Sequence, residues 1–374
     1  MFKSGSIQSH LTLRDKIFGL DLILVISMFL IGVISFFAMY STDGGQFAYH
    51  TKSHIVRFMV FFTLFFIVSF VKLNFWYNSA IPIYLVILLL LVLVKYFGLT
   101  SSGSQRWLGL YFINLQPSEL MKVGLILFLA KYYHRISSGD VNRFRYLVQP
   151  LIALLIPVIL VITQPDLGTS FLIAFGGMVV VWLAGVQMKF FTYLGALFLF
   201  SAPIAISFLK PYQKSRILTF LDPSRDPLGA GYQITQSKIA IGSGGLFGKG
   251  FLNGSQSYLD YLPEKHTDFI FTLFSEEFGF FGSMMVFLLY ILITWRIVNI
   301  GHSVRSSFGK LYCYSFATAF FGYVAVNMGM VLGLIPIVGA PLPIMSYGGS
   351  SMLAIMLGLG IVMSCKIHKE QPIG

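Results

Sequence analysis

Ten apolar stretches recur along the chain, near 20–41, 54–72, 79–98, 118–134, 147–163, 168–186, 190–209, 269–298, 312–334 and 347–366. Each approaches the ~20 helical residues needed to cross about 30 Å of hydrocarbon. This repetition limits the fold more than any motif does, because a backbone in lipid must satisfy its own polar groups and a run of this length does so as a helix. The sequence therefore predicts an all-α polytopic membrane protein of about ten transmembrane helices, organised as one domain over residues 1–374. Composition agrees: 56% of the 374 residues are hydrophobic and 11% are charged, against roughly 45–50% and ~25% in soluble domains. The polar stretch Met1–Asp21 leads into a full-length apolar run without the short core of a removable signal peptide, so 20–41 is expected to remain as a span.

Basic residues in the short loops favour the N-terminal side of the membrane, which places both termini in the cytoplasm. Of the acidic residues only Asp15, Asp21, Asp140 and Glu370 then fall inside, and a large extracytoplasmic loop, about 210–268, separates spans 7 and 8. Chemistry is expected at the outer face. The net charge of +12 does not argue for nucleic acid, because the inner charges sit singly at helix ends, where anionic headgroups account for them. Cys313 and Cys365 lie at the cytoplasmic ends of spans and read as thiols of a reducing compartment. His10, His50, His54, His134, His302 and His368 show no metal-ligand spacing.

The stretch LPEKHTDFIFTLFSEEFG, Leu262–Gly279, sets Glu264, Asp268, Glu276 and Glu277 against the apolar run at 269–298. From Asp268, Thr272, Ser275 or Glu276, and Gly279 follow at helical spacing, a polar stripe that must meet protein or water. Two other spans open on Gln-Pro, in QPSE at Gln116–Glu119 and QPDLGTS at Gln164–Ser170. Proline suits the first helical turn and a carboxylate there is favoured by free N–H groups, so each motif reads either as helix capping or as a functional site, and capping would suffice for Asp166. Glu119 and Lys122 share one helical face; they read either as functional groups in an apolar region or as an ion pair joining helices.

The segment Ser215–Gly250 ends in a glycine-rich stretch but is not a P-loop: Ser243 stands where the first glycine is required, and Gly250 replaces the Ser or Thr. Its part at 233–247 is weakly amphipathic and suits the outer interface. Gln233, Gln236, Ser237 and Lys238 there either bind sugar or phosphate or are simply solvated. GLIPIVGAPLPIMSYGGSS, Gly333–Ser351, places irregular backbone near membrane depth, where protein or a wet cavity must cover it; a rigid turn is the plainer reading.

Taken in order, RWLGL (Arg106–Leu110), QPSELMK (Gln116–Lys122), QPDLGTS, GYQITQSKIAIGSGG (Gly231–Gly245), LPEKHTDFIF (Leu262–Phe271) and PLPIMSYGGSS (Pro341–Ser351) resemble the shape, elongation, division and sporulation family of membrane peptidoglycan glycosyltransferases, over nearly the whole chain. GAPLP at Gly339–Pro343 is similar to the elongation branch, since division members usually lack a proline at the position of Pro341. Lys265 and Phe278 depart from the residues common at their positions.

The resemblance implies polymerisation of lipid II at the outer leaflet of a bacterial inner membrane, during cell elongation and rod-shape maintenance, with undecaprenyl pyrophosphate released. It implies that Asp268 takes the proton of the acceptor 4-hydroxyl as that oxygen attacks the anomeric carbon with inversion; a base beside a cationic pyrophosphate site is expected to have a low pKa. Glu119, Lys122 and Asp166 match further polar cavity positions, and Lys122 with Arg57 or Arg216 would offset leaving-group charge. Arg106, His266, Thr267 and Ser346, within or beside the matched motifs, complete the candidate substrate contacts. A divalent cation, Mg²⁺ or Mn²⁺, is the expected cofactor, because carboxylates without dense His or Cys suit a hard ion. The implied partners are a class B penicillin-binding transpeptidase and other elongation-complex membrane proteins. The alternatives are a division-type polymerase and a lipid II flippase, which would also need intramembrane polar groups and broken helices, although no inverted repeat is visible.

Overall fold

A computed structural model describes residues 12–101, 104–110, 113–137, 139–208, 211–226, 229–255, 264–371 and 373. Helices Leu22–Thr42, Tyr49–Ser69, Leu73–Phe97, Pro117–His134, Phe144–Thr163, Leu167–Leu183, Met188–Phe208, Ile270–Ser303, Ser307–Val331 and Gly349–Ile367 coincide with the ten apolar runs. Among the described residues, seven of them are by themselves long and apolar enough to cross a membrane. Part of the expected outer loop, including residues 256–263, lies outside the described residues.

The Pro117 helix falls short of that apolar standard because it carries Glu119, Lys122 and Lys131, and the fold solves the problem by burial in protein. Thirteen of its residues are buried, these three among them, and the Leu73, Leu167, Ser307 and Gly349 helices surround it. Charges inside a bundle avoid hydrocarbon and can meet polar partners, as intramembrane ionisable groups generally do. The Gly349 helix is the other central element and packs along the Tyr49 helix. Small residues permit this closeness: a Cβ at Gly360 would lie 2.5 Å from Val68 Cγ1, and one at Gly358 2.1 Å from the Phe316 ring.

The chain is not wholly helical. Leu99–Ser101, Ser104–Leu110 and Ile113–Leu115 form a three-stranded antiparallel meander between the Leu73 and Pro117 helices. Such short strands carry too few residues for a period-2 pattern to stand out beside long apolar runs.

The Ile270 helix is broken at Gly279, whose φ of 64° and ψ of −161° are open to glycine and not to side-chain-bearing residues. The glycine-rich loop after the Ala230–Ser243 helix fills the break. Phe280 and Phe281 N–H donate to the carbonyls of Gly245 and Leu246 (2.9 and 3.2 Å), and Lys249 and Gly250 N–H donate to those of Glu276 and Glu277 (both 3.0 Å). These bonds satisfy backbone groups that the break would strand. Glu276 and Glu277 serve this junction: Glu276 Oε1 accepts from Lys249 Nζ (2.6 Å) and from Ser255 N–H (3.0 Å), and Glu277 accepts from the Ser41 hydroxyl. The segment expected to lie in the outer interface is thus docked onto the Ile270 and Ser307 helices, with Ser237 fully buried.

Candidate functional site

The turn at 264–269, just before the Ile270 helix, carries Asp268. Thr267 and Phe269 N–H both donate to the Glu264 carbonyl (3.2 and 3.3 Å), and the Thr267 hydroxyl donates to Glu264 Oε2 (2.9 Å), so the turn is closed on itself. Buried Asn327 then fixes its position. Its Nδ2 donates to the carbonyl of Asp268 (2.9 Å) and to that of Ala340 (2.7 Å), tying the turn to the irregular segment after the Ser307 helix. In that segment Gly339 has φ +72°, and even a Cβ built there would sit 3.5 Å from Asp268 Oδ2. Ile344 is held at φ 68°, a strained conformation for a β-branched residue.

Asp268 faces a cavity of ≈ 320 Å³. Arg106 and Trp107 enter from the meander, Gln116 and Glu119 from the start of the Pro117 helix, and Arg216 and Gln233 from the Pro211–Leu221 and Ala230–Ser243 helices. Glu264, Thr267, Tyr347 and Ser351 complete the polar wall, with Phe269, Ile337 and Pro341 supplying apolar surface. Cations and carboxylates thus share one half-enclosed space at the N-terminal ends of the Pro117, Leu167, Ile270 and Gly349 helices, where free N–H groups favour anions.

The carboxyl of Asp268 is pushed up to about 7, first by desolvation and then by Glu264, while Arg216 and Arg106 pull it down and Asp166 adds to the rise. This direction is opposite to the low pKa expected, because desolvation at the cavity wall outweighs the two guanidinium groups.

Asp166 is both helix cap and anchor. Its Oδ1 accepts from Thr169 N–H (3.0 Å), and its Oδ2 accepts from the Thr169 hydroxyl (2.8 Å) and from Gln116 Nε2 (3.3 Å), with Arg106 Nε 3.5 Å away. Arg106 Nη2 also donates to the Pro165 carbonyl (3.0 Å), which aims the guanidinium along the cavity wall. Arg216 donates to the Ile337 carbonyl (3.2 Å).

The structure separates several expected contacts from the cavity. Lys122 lies behind the wall: it donates to Glu119 Oε1 (2.8 Å) and its Nζ sits 3.9 Å from the centre of the Tyr323 ring, while the Tyr323 hydroxyl donates to Glu119 Oε2 (2.8 Å). Glu119 therefore reaches the cavity already balanced. Arg57 stacks on Tyr347 (4.4 Å), whose ring lines the cavity, and does not line it itself. Ser237 donates to the Val331 carbonyl (2.7 Å) and pairs with Thr272 (2.8 Å), which is packing. Lys238 lies exposed against Gly333, and Gln236 does not reach the cavity. Ser346 is consumed within its own turn, accepting from Leu342 N–H (2.7 Å).

His266 points the other way. Its ring stacks on His50 (4.1 Å between centroids), its Nδ1 meets the Thr42 hydroxyl (3.1 Å), and its Nε2 lies 3.8 Å from Asp43. Among the described residues, Asp43, His50 and His266 are the one group of three such donors within 4.8 Å of one another. The sequence names no ligands for the expected cation, and among the described residues the cavity carboxylates form no such group: Glu119 is paired with Lys122, and Asp166 is held by Thr169 and Gln116 beside Arg106.

Trp107, Gln116, Tyr347 and Ser351 are cavity residues that sequence reasoning did not single out, although all four sit within or beside the quoted motifs. A motif marks a segment, whereas only the turn and strand geometry decides which of its side chains face inward.

Comparison with known proteins agrees with this architecture. The profile of the cell cycle protein family FtsW, RodA and SpoVE matches residues 15–371. The peptidoglycan glycosyltransferase MrdB of Escherichia coli K12 is 44% identical over 289 residues, 77% of this chain and 78% of that protein. Stage V sporulation protein E of Bacillus subtilis is 33% identical over 357 residues, 92% and 96% of the two chains. Among solved structures, a chain from a peptidoglycan synthase complex that coordinates polymerization and crosslinking aligns with TM-score 0.83 and 32% identity, over 94% of this chain and 99% of that one. The rod shape determining protein RodA of Thermus thermophilus aligns with TM-score 0.71 and 28% identity, over 94% and 98%. A family match that spans the bundle, the cavity and every segment supplying its walls makes this chain a member of the FtsW, RodA and SpoVE family of cell cycle proteins.

Proposed function

We infer that this chain is a peptidoglycan glycosyltransferase of a bacterial inner membrane that polymerises lipid II during cell elongation, with the cavity on the extracytoplasmic side. One observation carries the reading: Asp268 presents a carboxyl near neutrality to a cavity that also holds Arg106 and Arg216. Sugar transfer from a pyrophosphate donor needs both, a base for the incoming hydroxyl and cations for the departing anion.

The acceptor 4-hydroxyl oxygen attacks the anomeric carbon of the donor. The bond from that carbon to the pyrophosphate oxygen breaks, undecaprenyl pyrophosphate leaves with the electron pair, and the hydroxyl proton passes to Asp268. Arg106 and Arg216 face the negative charge that gathers on the leaving group. Glu119, balanced by Lys122 and Tyr323, is left to accept hydrogen bonds from sugar hydroxyls rather than to bind a cation. A divalent cation would add further neutralisation of the pyrophosphate; with the wall carboxylates already engaged, it fits best as an ion brought in on the substrate phosphates, the usual manner of Mg²⁺. The likeness to a chain of a peptidoglycan synthase complex supports a class B penicillin-binding transpeptidase as partner, along with other elongation-complex membrane proteins.

The test is polymerisation of purified lipid II by the purified protein, alone and with its transpeptidase, comparing wild type with Asp268→Asn and resolving glycan chains on a gel. Polymer made at the wild-type rate by the folded variant would overturn the reading.

A further inference from the structure

A second cavity, of ≈ 440 Å³, lies at the other end of the bundle and takes no part in the chemistry above. From Glu119 to Lys131 the Pro117 helix advances twelve residues, about 18 Å at 1.5 Å per residue. Three helices form this cavity. Lys131, Tyr132 and Arg135 come from the end of the Pro117 helix, Arg145, Tyr146 and Gln149 from the start of the Phe144 helix, and Ile81 from the Leu73 helix.

Three cations line the cavity, and no carboxylate does. Lys131 is only 6% exposed, yet its Nζ meets a carbonyl, that of Asn78 (3.1 Å), and the face of Tyr77 (4.9 Å) rather than an anion. Arg135 spends its Nε on the Tyr77 hydroxyl (2.8 Å). Among the described residues neither of them, nor Arg145, forms an ion pair; Asp140, close in sequence, is taken by Arg143 (3.0 Å). Arg135 and Arg145 are exposed, so the cost falls on the buried Lys131 ammonium, which an anion shared with the two guanidinium groups would offset. The surroundings state what kind of anion. Ile81 is 39% exposed and Leu85, one turn further along the same face, 54%, so the cavity opens onto an apolar helix surface at the membrane boundary.

We propose that this cavity binds the phosphate headgroup of an anionic glycerophospholipid, with Lys131, Arg135 and Arg145 around the phosphate and the acyl chains along the Ile81–Leu85 face. Basic pockets between helices at a membrane surface suit such headgroups. Tyr132 and Tyr146, which meet through the Tyr132 hydroxyl and the Tyr146 carbonyl (3.3 Å), frame the mouth at the depth where aromatic residues favour the interface. The bound lipid would clamp the Leu73, Pro117 and Phe144 helices at this end, far from Asp268.

The full-length protein in nonionic detergent is titrated with dioctanoyl phosphatidylglycerol, dioctanoyl phosphatidylcholine or inorganic phosphate. Thermal unfolding is followed by tryptophan fluorescence, and retained lipid is counted by native mass spectrometry. The expected result is a saturable rise in Tm with the glycerol lipid alone, weakened at least about fivefold in apparent affinity by Lys131→Gln and by Arg145→Gln, and kept by Lys131→Arg. Arg145 is exposed, so its variant decides the matter even where Lys131→Gln is poorly folded. Equal stabilisation by the choline lipid, or glycerol-lipid affinity unchanged in Arg145→Gln, would overturn the site. An equal response to inorganic phosphate would make it a free-anion site and overturn the lipid assignment.

Discussion

The side-chain amide of Asn327 donates a 2.9 Å hydrogen bond to the backbone carbonyl of Asp268. With its second bond, to the Ala340 carbonyl, one buried amide holds together the two irregular segments that meet at the cavity. Asn327→Leu keeps similar volume and removes both donors. Each carbonyl left unpaired costs about 1–3 kcal/mol, and a shift of about 1 Å in the reacting carboxyl is enough for a loss on the order of 10²-fold in rate. The expected outcome is a lower melting temperature with a fall in kcat for lipid II polymerisation larger than any change in KM. A variant that melts earlier yet polymerises normally would show that the bond supports the fold without placing Asp268.

Asp268→Asn is expected to lower polymerisation by roughly 10²–10⁴-fold, the range of a lost general base. In the wild type the rate should rise with pH through an apparent pKa of about 7 as Asp268 ionises. Neighbours move that limb in opposite directions. Glu264 raises the carboxyl and Arg216 lowers it, so Glu264→Gln should shift the limb to lower pH and Arg216→Gln to higher pH. Rates measured between pH 5.5 and 8.5 for the three proteins decide this, and limbs that coincide would remove both residues from the electrostatics of Asp268.

The same shift has a consequence for stability. The folded value of Asp268 lies above its ordinary value of 3.8, so between about pH 4 and pH 7 the folded state holds a proton that the unfolded state has released. Stability from this group therefore falls as pH rises through that window. Asp268→Asn, which cannot ionise, should melt above the wild type at pH 8 and converge with it near pH 4. A variant less stable than wild type at pH 8 would contradict the assigned environment.

The bundle was legible because each span is a long apolar run, a signal that neighbouring residues reinforce. Asp268 and the Gln-Pro helix starts were legible as positions for a related reason: a carboxylate at the edge of such a run stands out, even where, as at Asp166, it also caps the helix. Inward-facing and outward-facing residues of one motif were not distinguishable. Thr267 faces the cavity while His266 turns to Asp43 and His50, a difference set by the tight turn from Glu264 to Phe269 rather than by residue type. Ser237 and Gln233 divide in the same way on one helix, the first buried against Val331 and the second at the cavity. Glu276 looked like a companion of Asp268 because no local pattern reveals that Gly279 breaks the helix and that a loop from 244–250 fills the gap.

That filling loop makes a sharp prediction about glycines. Gly248 has φ +82°, and a Cβ there would stand 2.0 Å from the Glu277 carbonyl oxygen. Gly242 lies in the preceding helix with nothing within 4 Å of the same position. Gly248→Ala should therefore destabilise the protein by at least about 2 kcal/mol, whereas Gly242→Ala should be neutral or slightly stabilising through its helix propensity. Thermal unfolding in detergent compares them directly, and equal melting temperatures would refute the docking of the loop on the broken helix.

Glu119 and Lys122 form a buried pair three residues apart, 2.8 Å between charged atoms, with Tyr323 bonded to one and stacked on the other. Removing one partner strands the other charge inside the bundle, which costs about 3–5 kcal/mol, while neutralising both leaves no unpaired charge there. Lys122→Met should therefore unfold at a clearly lower temperature than Glu119→Gln/Lys122→Met. Activity should separate the two residues differently. Glu119 lines the cavity and Lys122 does not, so the double variant, stable or not, is expected to polymerise lipid II poorly, and adding Glu119 back as Lys122→Met at permissive temperature should restore part of the rate. A double variant with wild-type polymerisation would reduce the pair to a support between the Pro117 and Ser307 helices and remove Glu119 from the substrate contacts.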